Sequence, residues 1–136
     1  MNTSSTDRAA MSAQERCAQV RASQDPQQVL RAAGDRAIMV RAAAVANPCA
    51  SGQMREQALV DAPAVRAAAI AAMPAHQLVM VLERIGDGGL VEVDEAAVAQ
   101  LVAAGLGQDL VQVQQLAALA DPRVRAAVTA WIMHWS

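Results

Sequence analysis

The stretch Val40-Arg41-Ala42-Ala43-Ala44 returns as Val65-Arg66-Ala67-Ala68-Ala69, and again with one change as Val124-Arg125-Ala126-Ala127-Val128. The step from the first copy to the second is about two dozen positions, and the third copy follows after a gap more than twice as long. Self-similarity at a period of this size marks a repeat architecture, in which one small unit buries its apolar face against the next. The Val and Ala positions recur at helical spacing, so the unit is helical and the fold class is all-α.

Outward from the motif, helix starts and stops are well punctuated. Ser12-Ala13-Gln14-Glu15 has capping-box spacing and opens a helix to about Ala22. Asp25-Pro26 starts a short helix that closes at Gly34, a natural left-handed C-cap. Asp35 is placed to cap the motif helix, which Asn47-Pro48 stops. Ser51 opens a short helix to Val60, Asp61-Ala62-Pro63 a helix to about Ala72, and Pro74 one with Leu78, Val81, Leu82 and Ile85 on a single face. Gly86-Asp87-Gly88-Gly89 is a loop, and Leu90 to Val93 alternates like a strand with nothing to pair with, which predicts an extended connector. Asp94, Asp109 and Asp121 then start the last three helices, spanning up to Gly105, Leu110 to Leu119, and Pro122 to Trp135. The sum is about nine helices, many too short to be stable alone, so stacking must hold them. Residues 1–10 read as a flexible N-terminal tail and residues 11–136 as a single α-helical repeat domain.

The run from Val40 to Pro48, followed by Met54 to Leu59, Asp61 and Val65-Arg66, resembles the leucine-rich repeat variant family. That family alternates α-helix with short 3₁₀ helix about every two dozen residues. Ala120-Asp121-Pro122-Arg123-Val124-Arg125 is similar to the start of the second helix in a HEAT-type repeat. The resemblance implies a short right-handed α-solenoid, a superhelix of stacked helical pairs of HEAT-like kind. The period breaks between residues 86 and 107. The family's founding type is associated with an iron–sulfur cluster on a separate cysteine-rich segment. Here Cys17 and Cys49 are the only cysteines, so no cofactor is expected.

Composition narrows the function. Hydrophobic residues make up 54% of the chain, but so many are alanine that the core must be thin and close-packed. All 11 basic residues are arginine, a usage that fits a GC-rich bacterial genome. A net charge of −2 gives no global attraction to nucleic acid. Cys17 and Cys49 have neither metal-site nor disulfide-framework spacing. The polar N-terminus and short apolar runs predict a cytoplasmic protein that does not span a membrane.

No residue set carries catalytic chemistry. His76 and His134 stand alone, and the Gly86 to Gly89 loop lacks the Lys-Ser/Thr of a phosphate loop. Asp87, Glu92, Asp94 and Glu95 lack the ligand spacing of a calcium loop and read as helix-start charge. The expectation is therefore a non-enzymatic protein-binding module, an adaptor, regulator or inhibitor. The candidate partner-binding residues are Trp131, Met133 and Trp135 at the C-terminal helix, with the motif arginines Arg41 and Arg66. Trp131 and Trp135 are the only aromatic residues and share a helix face, where they either seal the last repeat or anchor a partner or, in a homodimer, a twin subunit. Arg41, Arg66 and Arg125 fit a structural role, each pairing with a capping aspartate or a free helix-end carbonyl of a neighbouring repeat. The alternative is a nucleic-acid-binding module with Arg31, Arg36, Arg41, Arg55 and Arg66 on one face.

Overall fold

The computed structural model describes residues 11–106, Gln115 and residues 121–134. Among these, the chain forms eight α-helices and one 3₁₀ turn, with no strand. They are α1 (Ala13–Ala22), α2 (Pro26–Ala32), α3 (Ile38–Ala46), α4 (Gly52–Gln57) continuing into a 3₁₀ turn (Ala58–Val60), α5 (Pro63–Ala72), α6 (Ala75–Gly86), α7 (Glu95–Leu106) and α8 (Pro122–His134). The expected tail 1–10, the helix Leu110 to Leu119 and Trp135 lie outside the described residues.

Most starts follow the expected chemistry. The Ser12 and Ser51 hydroxyls accept the amides of Glu15 and Met54, and the Asp25 carboxylate accepts that of Gln27. The motif helices α3 and α5 differ. Their N-cap residues are Ala37 and Ala62, which have no side chain to offer. The carboxylates just before them substitute: Asp35 takes the Ala37 amide at 2.8 Å and Asp61 the Ala62 amide at 2.6 Å. Asp35 therefore serves the helix start from just outside it, not as the N-cap itself.

Two expectations about loops need correction. Gly34 does not adopt positive φ; α2 ends on Ala33 in ordinary helical geometry, and the Gly34 and Asp35 amides donate to Arg31 and Ala32 carbonyls. Leu90 to Val93 is a turn, not an extended connector, closed by the Val93 amide on the Leu90 carbonyl at 3.1 Å. An unpaired strand has no ladder to hold it. Turning instead lets Leu90 and Val93 both reach the core while Val91 and Glu92 face solvent. The turn requires left-handed backbone at Gly88 (φ 90°) and, at a cost, at Leu90 (φ 54°).

The helices adjoin in a regular order: α1 contacts α3, α3 contacts α5, α5 contacts α7, and α7 contacts both α6 and α8. α1 and α3 run parallel, because both pairs of ends are tied. Arg16 of α1 reaches Asp35 at the start of α3, while Asn47 at the end of α3 donates to the carbonyls of Val20 and Ser23 at the end of α1. The starts of α1, α3 and α5, at Ala13, Ile38 and Pro63, are evenly stepped along the chain. The steps to Glu95 of α7 and Pro122 of α8 are longer. The buried positions Val20, Val45 and Ile70 keep the even beat of the first three helices.

The core follows this order too. Cys17, Val20, Val29, Val40 and Met54 form an N-terminal cluster with small alanines between them. Val45, Ala58, Val65 and Ala69 form a small middle one. The largest joins α6, α7 and α8 through Leu78, Leu82, Ile85, Leu101 and Val124. The aliphatic mass is thus concentrated in the C-terminal half, and the N-terminal half relies more on close approach and polar ties.

Candidate functional site

The repeated arginine occupies the same place in α3 and α5, on the first turn of the helix. From there a guanidinium spans to the start of the next helix but one. Arg41 forks onto Asp61, with Nε to Oδ2 at 3.1 Å and Nη2 to Oδ1 at 3.0 Å. Its remaining Nη1 donates to the carbonyls of Asp35 and Arg36. Arg16 makes the same fork on Asp35, at 2.9 and 3.1 Å, and its Nη1 donates to the Met11 carbonyl. Arg66, buried between α5 and α7, reaches Asp94 at 3.4 Å and donates to Gln100 Oε1 at 3.1 Å. Arg16, Arg41 and Arg66 fall at the same even step as the helices that carry them. Each carboxylate does two jobs: it receives the arginine of the preceding helix and hydrogen-bonds an amide at the start of its own.

The pairing runs forward along the chain. Each arginine meets the aspartate at the start of the neighbouring unit and not the one just upstream of it. Arg16 is hidden in the sequence because Glu15-Arg16-Cys17 lacks the valine and alanine of the motif. Only its distance from Arg41, equal to that from Arg41 to Arg66, gives it away. The row stops at α7, where Val98 occupies the equivalent helical position and is fully buried. No arginine of α7 is there to meet Asp121. That carboxylate instead pairs with Arg123 of its own helix at 3.2 Å, and Arg123 also donates to the Val93 carbonyl at 2.7 Å. α8 is thereby tied to the turn before α7.

These partners set the charge states. The Arg16 guanidinium holds the Asp35 carboxyl below the ordinary range, assisted by the Ala37 amide and outweighing burial. At Asp61, burial is the largest influence and pushes upward, but Arg41 and the Ala62 amide together win and the value falls. Arg123 lowers Asp121 in the same way. A carboxylate whose folded value is depressed stabilises the fold fully above its unfolded value, about 3.9, and loses that contribution as pH falls through the folded one. Thermal stability is therefore expected to hold steady above about pH 5 and decline below about pH 4. An Asp61→Asn variant, melted over the same pH series, should show a shallower decline. Equal slopes would mean that Asp61 is not among the groups responsible.

The buried Asn47 is a second polar tie. Its Nδ2 donates to Val20 at 2.7 Å and Ser23 at 3.0 Å, and its Oδ1 accepts the Cys49 amide at 2.7 Å. Arg55 donates to the Val45 and Asn47 carbonyls and so satisfies the end of α3.

With Arg41 and Arg66 engaged inside the fold, the outer faces of their helices bear no free charge, since each is the only charged residue of α3 or α5. What faces outward is Ile38, Met39 and Ala46 on α3, Pro63, Ala64, Ala67 and Ala71 on α5, and Glu95, Ala96, Ala99, Gln100 and Ala103 on α7. Between α3 and α5 this face holds a shallow cavity of about 420 Å³, lined by Met39, Ala42, Ala46, Ala64 and Ala68 with Arg21 at its edge. At the C-terminal helix, Trp131 is half-buried and packs against the largest core cluster. Met133, 70% exposed, and Ile132 face outward.

The five arginines weighed for nucleic acid do not gather as free cations. Arg41, Arg55 and Arg66 are spent on internal carboxylates, carbonyls or Gln100, which leaves Arg31 and Arg36 exposed. Cys17 is buried, its thiol directed at the Met39 carbonyl, and Cys49 is a half-buried free thiol. Among the described residues, no three His, Cys, Asp or Glu side chains are placed to hold a metal ion, and no helix is long and apolar enough to cross a membrane. Comparison with models of protein families, with curated proteins and with solved structures found no match.

Proposed function

We propose that the chain is a non-enzymatic protein-binding module, an adaptor, regulator or inhibitor, built as a short right-handed α-solenoid of leucine-rich-repeat-variant or HEAT-like kind. The solenoid reading is supported by the forward Arg-to-Asp ties, the even starts of α1, α3 and α5 and the order in which α1, α3, α5 and α7 adjoin. The binding reading rests on one observation: the exposed positions of α3, α5 and α7 are mostly alanine, with Ile38 and Met39 beside them, and Arg41 and Arg66 are engaged by aspartates.

A surface so rich in alanine is smooth, and a partner helix can approach it closely. Little side-chain entropy is lost when alanine is covered, so most of the apolar gain is retained. Met39 adds an adaptable apolar contact at one side, and Met133 a further one on α8. Trp131 then serves chiefly to seal the last helix onto the core.

The test is capture of partners from an extract of the host cell by wild-type protein and by Ala68→Glu and Ala99→Glu variants. A partner retained by wild type and lost by both variants, with unchanged melting temperature, supports the reading. Equal capture by all three overturns it.

A further inference from the structure

We infer a second binding site where the period breaks: a groove between α4 and the 87–93 turn that takes an extended peptide segment carrying a basic residue next to an apolar one. α7 starts at Glu95, a longer step from the start of α5 at Pro63 than the even step that separates α1, α3 and α5. The α5-to-α7 tie does not need the extra chain, because Arg66 meets Asp94 and Gln100 directly. The addition goes into a longer α6 and the turn after it, and these wall a groove of about 480 Å³. The space among α1, α2 and α3 is smaller, about 150 Å³, and is lined in part by Arg16 and Asp35.

The opposite wall is the preceding unit. Gln53, Gln57 and Val60 recur at helical spacing on one side of α4 and its 3₁₀ extension, and all three are exposed. Two glutamine amides offer both donors and acceptors, which suits the backbone of an extended peptide. Val60 is 57% exposed and faces the same groove as Leu90, so an apolar side chain has a seat between them. Glu56, Arg84 and Glu92 all line the groove, which leaves one carboxylate in excess. Glu56 is neutralised by Arg84, but Glu92 is exposed on the turn and has no ion-pair partner among the described residues. A Lys or Arg on the ligand supplies it. Leu90 holds its left-handed backbone at the rim of this groove, and such conformations concentrate where a surface must be presented in one shape.

None of these residues belongs to the alanine face, so the two sites are tested separately. The full chain is immobilised and panned with a random dodecapeptide library displayed on phage. The expected result is enrichment of peptides with Lys or Arg beside Leu, Ile, Val or Met. Their affinity should fall about tenfold or more for E92K and for V60D, and stay within about twofold for A68E. Melting curves establish that each variant is folded. No enrichment, enrichment of acidic peptides, or peptides whose binding survives both E92K and V60D would overturn the groove. Peptides lost with A68E but kept with E92K would also overturn it, while supporting the alanine face.

Discussion

Asn47→Ala is expected to destabilise the protein by about 2–4 kcal/mol, read as a lower urea midpoint at unchanged slope. The side chain is 4% exposed and every polar atom on it is used. Its removal leaves the buried Val20 carbonyl without this donor and the Cys49 amide without its acceptor, and each such loss costs about 1–3 kcal/mol. Ser23 is half-buried, so water can compensate there. Asn47→Asp separates this account from a volume effect. The shape is kept, but a carboxylate in place of Nδ2 confronts two carbonyl oxygens 2.7 and 3.0 Å away and cannot donate to them. The account requires Asn47→Asp to be at least as damaging as Asn47→Ala. A near-neutral Asn47→Asp would show that packing alone matters at this position.

Leu82→Ala should cost as much or more, about 3–5 kcal/mol. Leu82 is fully buried in the largest cluster and sits close to Gly105 of α7, where an added Cβ would lie 4.0 Å from its Cδ1. Helices lock a truncated site in place, so the cavity does not collapse and the full penalty is felt. The effect should also be regional. If each helix leans mainly on its neighbours, hydrogen exchange in α6, α7 and α8 should accelerate first, with α1 and α3 holding their protection. Uniform acceleration across all helices would mean that the chain unfolds as one cooperative block.

The helices were the most legible part of the sequence, because their starts are written in local chemistry. Ser12, Asp25, Ser51 and Pro63 mark starts within a residue of where they fall. Gly34 was misleading because a glycine after a helix permits left-handed backbone without demanding it. The Leu90 to Val93 alternation misled for a related reason: so short a run fits a strand or a turn equally, and only the core beneath decides. Arg41 and Arg66 could be singled out, but not their partners. Asp61 is a close chain neighbour of Arg66, yet it pairs with Arg41, which lies much further back. That choice follows from parallel helices lying side by side at their first turns, a tertiary fact that spacing alone does not contain. The alanine face was hidden by the same gap, since alanine reads as packing until it is known which side of the helix is covered. The groove beside Glu92 left one trace, the broken period.

The central claim is that α1 is set on α3, and α3 on α5, by an arginine fork onto the aspartate just before the receiving helix, with Arg66 reaching from α5 to Asp94 before α7 in the same sense. A double-mutant cycle on Arg41 and Asp61, with Arg41→Ala, Asp61→Ala and the double variant unfolded in urea, tests it most directly. Both side chains are only partly exposed, at 21% and 26%, and the fork is bidentate, so the pair is stronger than an ordinary surface ion pair. The predicted coupling is about 1–2 kcal/mol, with the double variant little worse than either single one. Additive losses, with coupling below about 0.3 kcal/mol, would contradict the claim and leave the alanine packing to set the helices alone.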